Sequence, residues 1–106
     1  MKVAVVMGSD SDLPVLKPAI GLLHDFGVET EVIVASAHRT PLRVREIVSS
    51  AQERGIGAFI SAAGAAAHLG GVIASYTTLP VIGVPINATA LNGMDALLST
   101  VQMPSG

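Results

Sequence analysis

The hexapeptide Ser36-Ala-His-Arg-Thr-Pro41 combines an imidazole, a guanidinium and two hydroxyl groups within six residues. Imidazole is the side chain best suited to give and take a proton during a reaction, so His38 is a candidate for this role. Arg39 lies beside Ser36 and Thr40, and a guanidinium with hydroxyl groups at the start of a helix can bind phosphate. A structural histidine and a surface arginine are the alternatives that these residue types leave open.

A second polar segment, residues 8–12, follows the first apolar run of the chain. Ser9, Ser11 and Asp12 offer hydroxyl and carboxylate groups next to free backbone N–H groups at a predicted helix start. This arrangement suits a phosphate or the hydroxyl groups of a sugar. A loop that merely caps the helix is the alternative. The glycine spacing matches neither a P-loop nor a dinucleotide-binding fingerprint.

Two further segments, residues 64–71 and 87–93, are rich in small and polar residues. The first contains His68, which is a second candidate for proton transfer or a structural histidine. The third histidine, His24, falls in the middle of a predicted helix, and we interpret it as structural or surface. Two histidines in segments that follow strands favour a functional role for both His38 and His68.

Four apolar runs alternate with helical patterns, which predicts a β-α-β-α-β-α-β-α order and an α/β fold. The strands are predicted at residues 2–7, 29–35, 58–63 and 80–85. The helices are predicted to begin at residues 13 and 41 and to end at glycines 27 and 55, and the last two to span roughly 72–76 and 94–101. We expect one domain, residues 1–106, with a flavodoxin-like, three-layer winding: a parallel sheet in strand order 2-1-3-4 with helices on both faces. All four polar segments then lie at the carboxyl edge of the sheet, where such folds bind ligands.

Composition argues against several classes of function. Half of the residues are hydrophobic, and the mean hydropathy is +0.61. The uncharged stretch between Gly55 and Met94 is interrupted by glycines and prolines, so we predict buried strands and a subunit interface rather than a membrane span. The net charge is −2, and the chain has one Tyr, two Phe and no Trp. Proteins that bind nucleic acid typically present a basic surface or aromatic side chains for base stacking, so nucleic-acid binding is not predicted.

Residue content and motif spacing also argue against several kinds of chemistry. The chain has no Cys, which rules out disulfides and Cys nucleophiles and fits a cytoplasmic protein. Met1-Lys2 leads directly into a strand, so no signal peptide is expected. No histidine pair has metal-ligand spacing, and no Gly-x-Ser-x-Gly elbow is present, so neither a metal site nor a serine hydrolase is predicted.

Five blocks of the sequence resemble the PurE family, the catalytic type of phosphoribosylaminoimidazole carboxylase of purine biosynthesis. The resemblance runs in order through the whole chain. The blocks are Met7-Gly-Ser-Asp-Ser-Asp12, Ser36-Ala-His-Arg-Thr-Pro41, Ala63-Gly-Ala-Ala-Ala-His-Leu69, Pro80-Val-Ile-Gly-Val-Pro85 and Leu91-Asn-Gly-Met-Asp-Ala-Leu-Leu-Ser-Thr-Val-Gln-Met-Pro104.

The His68-Leu69 pattern is similar to that of the bacterial type, a 5-(carboxyamino)imidazole ribonucleotide mutase. The resemblance implies an isomerase that moves a carboxylate from the exocyclic amine to ring carbon C4, through a carbon dioxide intermediate. It implies no ATP, metal or biotin cofactor, and a homo-oligomer, an octamer in the family. The substrate is a small ribonucleotide, with neither nucleic acid nor membrane as a partner.

The resemblance also implies roles for individual residues. His38 is the general acid and base, and His68 borders the base and the carboxylate. Substrate-binding residues are expected in the three segments that precede the helices. These are Ser9, Ser11, Asp12, Ser36, Arg39, Gly64, Ala65, Ala66 and Leu69: Ser11, Ser36 and Arg39 for the 5′-phosphate, Asp12 for the ribose hydroxyls, and residues 64–66 for the carboxylate and carbon dioxide.

The chain departs from the family pattern at two places. Gly70 stands where the family usually has proline after His-Leu, and we expect it to loosen that loop. The family also continues with a fifth strand and a long helix, so we expect this sequence to be C-terminally incomplete. Two alternatives are a PurE-like carboxylase of pincer-cofactor synthesis, against which residues 36–41 argue, and a truncated, non-catalytic binding module.

Overall fold

The computed structural model describes residues 1–105. The strands are β1 (Lys2–Met7), β2 (Glu29–Val34), β3 (Ile56–Gly64) and β4 (Val81–Ile86). The helices are α1 (Leu13–Asp25), α2 (Pro41–Ser49), α3 (Leu69–Ser75) and α4 (Met94–Val101), and one 3₁₀ turn (Asp10–Asp12) precedes α1. The predicted alternation of strands and helices is confirmed.

The four strands form one parallel sheet in the predicted order, β2-β1-β3-β4. β1 lies at the centre, where Val5 pairs with Val32 on one side and with Ile60 on the other. Five of its six residues are buried, as expected for a Val-rich strand covered on both faces. Since all four strands run the same way, the segments that follow them meet at one edge.

Side chains of β1 alternate between two hydrophobic cores, one on each face of the sheet. On one face, Ala4 and Val6 pack with side chains of α2 and α3. On the other face, Val3, Val5 and Met7 pack with Leu16 of α1. The resulting helix–sheet–helix sandwich is the predicted three-layer architecture.

The helical stripes predicted from sequence face these cores. Leu16 is buried, and the neighbouring apolar positions of α1 pack partly buried against the same core. Val44 and Val48 are buried on the side of α2 that faces the sheet, and Ala51 is buried in the turn that follows the helix. The predicted end of this helix at Gly55 is wrong, because α2 ends at Ser49 and turns connect it to β3. Gly27, at a φ of 72°, ends α1 in the left-handed conformation that suits glycine at a helix C-terminus.

The predicted start of the third helix is wrong by three residues. α3 begins at Leu69, so Gly70 lies within its first turn and not in a loop that it could loosen. Glycines favour a loop by intrinsic propensity, but the helix buries Leu69 and Ile73, four residues apart, at 2% and 0% exposure. Tertiary packing therefore outweighs the local preference.

Three strands also differ from prediction at their ends. β2 ends one residue earlier than predicted, at Val34. β3 begins two residues earlier, at Ile56, because Gly57 forms an irregularity in the pairing with β1 between Lys2 and Val3. β4 is shifted by one residue and includes Pro85, which was predicted to end the strand. Proline is tolerated there because β4 lies at the edge of the sheet.

The two phenylalanines of the chain provide a matched test of this packing. Phe59 is 0% exposed in the core beneath α2 and α3, whereas Phe26 is 73% exposed after α1. We expect Phe59→Ala to lower the free energy of unfolding by about 3–5 kcal/mol. Phe26→Ala should change it by no more than about 0.5 kcal/mol. Urea unfolding of both variants measures the difference, and equal losses would contradict the described core.

Candidate active site

A cavity of about 310 Å³ lies at the carboxyl edge of the sheet, among the segments that follow all four strands. Parallel strands bring these segments together, as expected for a ligand site in an open α/β sheet. The cavity is lined by Gly8, Ser9, Ser11, Asp12, Ser36, Ala37, His38, Arg39, Ala63, Gly64, Ala66, His68, Leu69 and Ala88.

Ten of the eleven residues predicted from sequence to form a site line this cavity. The exception is Ala65, which is exposed and does not line it. Its backbone adopts a φ of 52°, a left-handed conformation that is uncommon for a residue with a Cβ. Ala65 thus bends the chain between Gly64 and Ala66, which do line the cavity.

Four lining residues were not predicted: Gly8, Ala37, Ala63 and Ala88. The first three adjoin predicted residues, so their strand-end position was the signal that could have found them. Ala88 comes from the segment after β4, which sequence placed at the correct edge without naming a residue. An alanine has no functional group, so only the three-dimensional contact reveals it.

The imidazoles of His38 and His68 form a hydrogen bond across the cavity. Nε2 of His38 lies 2.8 Å from Nδ1 of His68, and the rings meet edge to face at a centroid distance of 4.9 Å. One nitrogen must donate and the other must accept, so the contact holds a single hydrogen. His68 occupies the N-cap position of α3, where its side chain makes no capping bond and remains available to His38.

Arg39 joins the segments after β1 and β2. Its Nη2 atom donates a hydrogen bond to the carbonyl oxygen of Gly8, at 2.5 Å. The guanidinium has five N–H donors, so this bond leaves others for an anion in the cavity. Arg39 is therefore anchored where it can bind phosphate in two places.

The side chains of Ser36 and Thr40 stabilise the turn in which they lie through hydrogen bonds to its backbone. Ser36 Oγ accepts the backbone N–H of Arg39 at 3.1 Å, and Thr40 Oγ1 accepts the backbone N–H of Ser36 at 3.0 Å. Thr40 was predicted to precede α2, and it does, but its hydroxyl bonds back to Ser36 rather than capping the helix. A hydroxyl that accepts a bond keeps its hydrogen, so Ser36 Oγ can still donate to a ligand.

Ser9 and Ser11 form a second hydroxyl pair beside Arg39. Their Oγ atoms lie 2.9 Å apart, and either can be the donor. Ser9 Oγ also lies 3.5 Å from Oδ1 of Asp10 as a donor. When Ser9 donates to Ser11 instead, the hydroxyl hydrogen of Ser11 is left for a ligand. The pair therefore supplies one hydroxyl donor near the guanidinium, at the start of the 3₁₀ turn that leads into α1.

Asp12 is the buried carboxylate of the site, at 6% exposure. Burial raises the pKa of its side chain above the ordinary value of 3.8, since the charged form loses its hydration. A backbone hydrogen bond from Ser9 and the nearby positive charge of Arg39 act in the opposite direction on this pKa, and Asp10 adds a smaller increase. A buried carboxylate is a strong acceptor for the hydroxyl groups of a bound sugar.

The floor of the cavity is formed by small residues in close contact. A Cβ at Gly64 would lie 2.8 Å from Cβ of Ala88 and 3.3 Å from the carbonyl oxygen of Ile86. Glycine is therefore required at position 64 for β3 and the segment after β4 to approach each other. The result is a narrow apolar corner beside the polar part of the cavity.

Within residues 1–105 no group of three or more His, Asp or Glu side chains is arranged to hold a metal ion. Among the described helices, none is both long and apolar enough to cross a bilayer.

Comparison with known proteins gives consistent results. A family model described as AIR carboxylase matches residues 2–106. The N5-carboxyaminoimidazole ribonucleotide mutase of Pyrococcus horikoshii is 62% identical over 104 residues, and that of Thermotoga maritima 55% identical over 105. Among solved structures, PurE from Treponema denticola superposes with a TM-score of 0.86 at 28% identity and covers 99% of this chain.

The chain spans only part of these proteins. It covers 59% of the Pyrococcus horikoshii relative, 61% of the Thermotoga maritima relative and 66% of the Treponema denticola chain. The similarity itself covers 98% and 99% of this chain for the first two.

The buried carboxylate predicts a distinctive pH dependence of stability. Because the pKa of Asp12 is raised in the folded state, its contribution favours folding below pH 3.8 and is lost as the pH rises through the raised pKa. Asn does not titrate, so Asp12→Asn should gain stability relative to the parent protein as the pH rises to neutral.

Urea unfolding of both proteins from a pH below 3.8 to pH 7 measures this difference. Asp25→Asn is the matched control, because Asp25 is exposed at the end of α1 and lies outside the cavity. A stability difference for Asp12→Asn that stays constant or falls with pH would contradict the burial described.

Proposed function

The chain belongs to the AIR carboxylase family, and on that premise we propose that it converts 5-(carboxyamino)imidazole ribonucleotide to 4-carboxy-5-aminoimidazole ribonucleotide. The reaction is an isomerisation in purine biosynthesis, in which a carboxylate moves from the exocyclic nitrogen to ring carbon C4. The observation that carries the proposal is the hydrogen-bonded pair of His38 and His68 in a cavity that also contains Arg39. An acid–base pair and an anion-binding group are the two features that this substrate requires.

His38 acts as general acid and then as general base. It donates a proton to the carbamate nitrogen, the N–C bond breaks, and carbon dioxide is released within the cavity. The electron-rich C4 of the aminoimidazole then attacks carbon dioxide, and the new C–C bond forms. The proton on C4 returns to His38, which restores the aromatic ring, so the cycle consumes no net proton. Positioned proton transfer of this kind contributes about 10²–10⁴-fold to the rate.

His68 supports this proton transfer through the bond to His38. With a single hydrogen between Nε2 of His38 and Nδ1 of His68, the tautomers of the two rings are coupled. The pair therefore can supply and take back one proton without water. The rings also flank the position where the base and the carboxylate would bind.

The remaining polar groups hold the ribonucleotide. Arg39, with the free hydroxyl hydrogens of Ser36 and of the Ser9–Ser11 pair, is proposed to bind the 5′-phosphate. Asp12 is proposed to accept hydrogen bonds from the ribose hydroxyls, which would replace the hydration that burial removes from its carboxylate. Binding energy at these distant groups orients the base for the reaction.

The apolar corner is proposed to retain carbon dioxide. Gly64 and Ala66 line it, Ala65 bends the chain between them, and Leu69 is buried at the start of α3 beside it. The backbone N–H groups of Gly64 and Ala66 are proposed to bind the carboxylate. A small, dry corner favours recapture of a neutral molecule that interacts weakly with the protein.

No cofactor takes part in the proposed reaction, and the small-molecule partner is the ribonucleotide. Neither a pincer-cofactor carboxylase nor a non-catalytic module is favoured, because the similar proteins are named as mutases and carboxylases of the purine intermediate. The cytoplasmic location predicted from the sequence stays a prediction.

Turnover by a His38→Asn variant tests the proposed function. Asn keeps polarity and approximate size but cannot transfer the proton, so we expect the rate to fall by about 10²–10⁴-fold. The assay incubates 5-(carboxyamino)imidazole ribonucleotide with the protein and measures the 4-carboxy product over the reaction without protein. His24→Asn is the matched control, because His24 is exposed in α1 and outside the cavity. Undiminished turnover by His38→Asn would remove His38 from this role.

Homo-oligomer formation is a further part of the proposal. One face of α4 exposes Met94, Leu97, Leu98 and Val101 to solvent in the single chain. An apolar stripe at helical spacing suits contact with a second copy of the chain. The region that directly precedes it, residues 56–93, carries no Asp, Glu, Lys or Arg and also favours such a contact. Size-exclusion chromatography with light scattering should give a molar mass of two or more times 10.7 kDa. A stable monomer at the concentration of the assay would contradict this expectation.

A further inference from the structure

The segment after β4, residues 87–93, forms one wall of the cavity without supplying a reactive group. Ala88 lines the cavity, and its Cβ approaches position 64 so closely that no other side chain fits there. Anything that moves Ala88 therefore opens the apolar corner beside Gly64. The contacts that fix this segment determine how well that corner is closed.

One side-chain hydrogen bond ties the segment to α4. Thr89 Oγ1 donates to Oδ2 of Asp95 at 2.7 Å, and Asp95 lies in the first turn of the helix. The same Thr89 oxygen accepts the backbone N–H of Leu91 at 3.2 Å, and the Thr89 carbonyl accepts that of Asn92. Thr89 thus organises the turn that immediately follows Ala88.

The carboxylate of Asp95 has few other restraints. Its second oxygen, Oδ1, is buried and finds no hydrogen-bond partner within residues 1–105. Asp95 also lies in the first turn of α4, where the helix dipole interacts favourably with an acidic side chain. Loss of the Thr89 hydroxyl would therefore leave a buried carboxylate without this bond, and the segment would lose its tie to α4.

The backbone of the segment gives little compensation for that loss. Asn92 and Gly93 both adopt left-handed conformations, at φ values of 54° and 84°. A Cβ at Gly93 would lie 3.4 Å from Cα of Asn87, so the two ends of the segment approach each other closely. Asn and Gly accept this conformation at little cost, so the backbone conformation by itself does not fix the segment against α4.

We propose that Thr89 and Asp95 are a positioning pair that keeps the Ala88 wall closed while carbon dioxide is free in the cavity. Neither residue touches the reacting atoms. Their effect is on the fate of the intermediate: a closed wall favours attack by C4, and a loosened wall lets carbon dioxide escape and leaves the decarboxylated aminoimidazole ribonucleotide. This inference rests on the proposed function.

The ratio of the two products tests the pair directly. Thr89→Val keeps the shape of the side chain and removes only the hydroxyl. We expect it to raise the decarboxylated share of the product several-fold over the parent protein, after subtraction of spontaneous decarboxylation without protein. Thr89→Ser restores the hydroxyl and should restore the ratio. Thr78→Val is the matched control, because Thr78 is exposed at the opposite edge of the sheet.

A second variant keeps the test decisive if Thr89→Val folds poorly. Ala88→Gly removes the methyl group that closes the corner and leaves the Thr89–Asp95 bond in place, so it should also raise the decarboxylated share. An unchanged product ratio in the folded variants would overturn the inference.

Failure of the proposed function gives a different result. In that case the parent protein would form no 4-carboxy product, and the ratio could not be measured. Amide hydrogen exchange at residues 88–92, which needs no substrate, then tests the pair: exchange should be faster in Thr89→Val than in the parent and in Thr89→Ser. Equal exchange rates would overturn the positioning role.

Discussion

Parallel pairing of β1 between β2 and β3 is the constraint on which the rest of the structure depends. Because β1 is buried on both faces and paired on both sides, its direction and register fix those of its neighbours. The segments after all four strands must then meet at one edge. The sheet therefore brings His38 and His68, thirty residues apart in sequence, to within hydrogen-bonding distance. No local signal near either residue could do this.

The fold was predictable from sequence because its signals are strong and local. The element order follows from apolar runs of Val and Ile, from helical spacing of apolar residues, and from glycines at the ends of elements. That order then predicts the strand order and the edge of the sheet at which the cavity lies. Errors occurred where tertiary packing opposes local preference: α3 starts among glycines because Leu69 and Ile73 are buried. Pro85 continues a strand because that strand lies at an edge.

The site was predictable in its polar residues and not in its contacts. Residue type identified His38, His68 and Arg39, but it could not reveal that two imidazoles share one hydrogen. Ala88 was not predicted because alanine carries no functional group. Its role depends on the close approach between the end of β3 and the segment after β4. Burial of the Asp12 carboxylate at the site has a cost in stability, because a buried carboxylate opposes folding when it is ionised.

The left-handed backbone of Ala65 has a consequence for how this protein can vary. A φ of 52° is strained for most side chains, especially β-branched ones, and is readily accepted only by Gly, Asn and Asp. Position 65 is exposed and does not line the cavity, so ligand contact places no demand on its side chain. In a mutational scan it would nevertheless behave like a binding residue and reject most replacements. Intolerance there would report the geometry of the chain rather than recognition of a ligand.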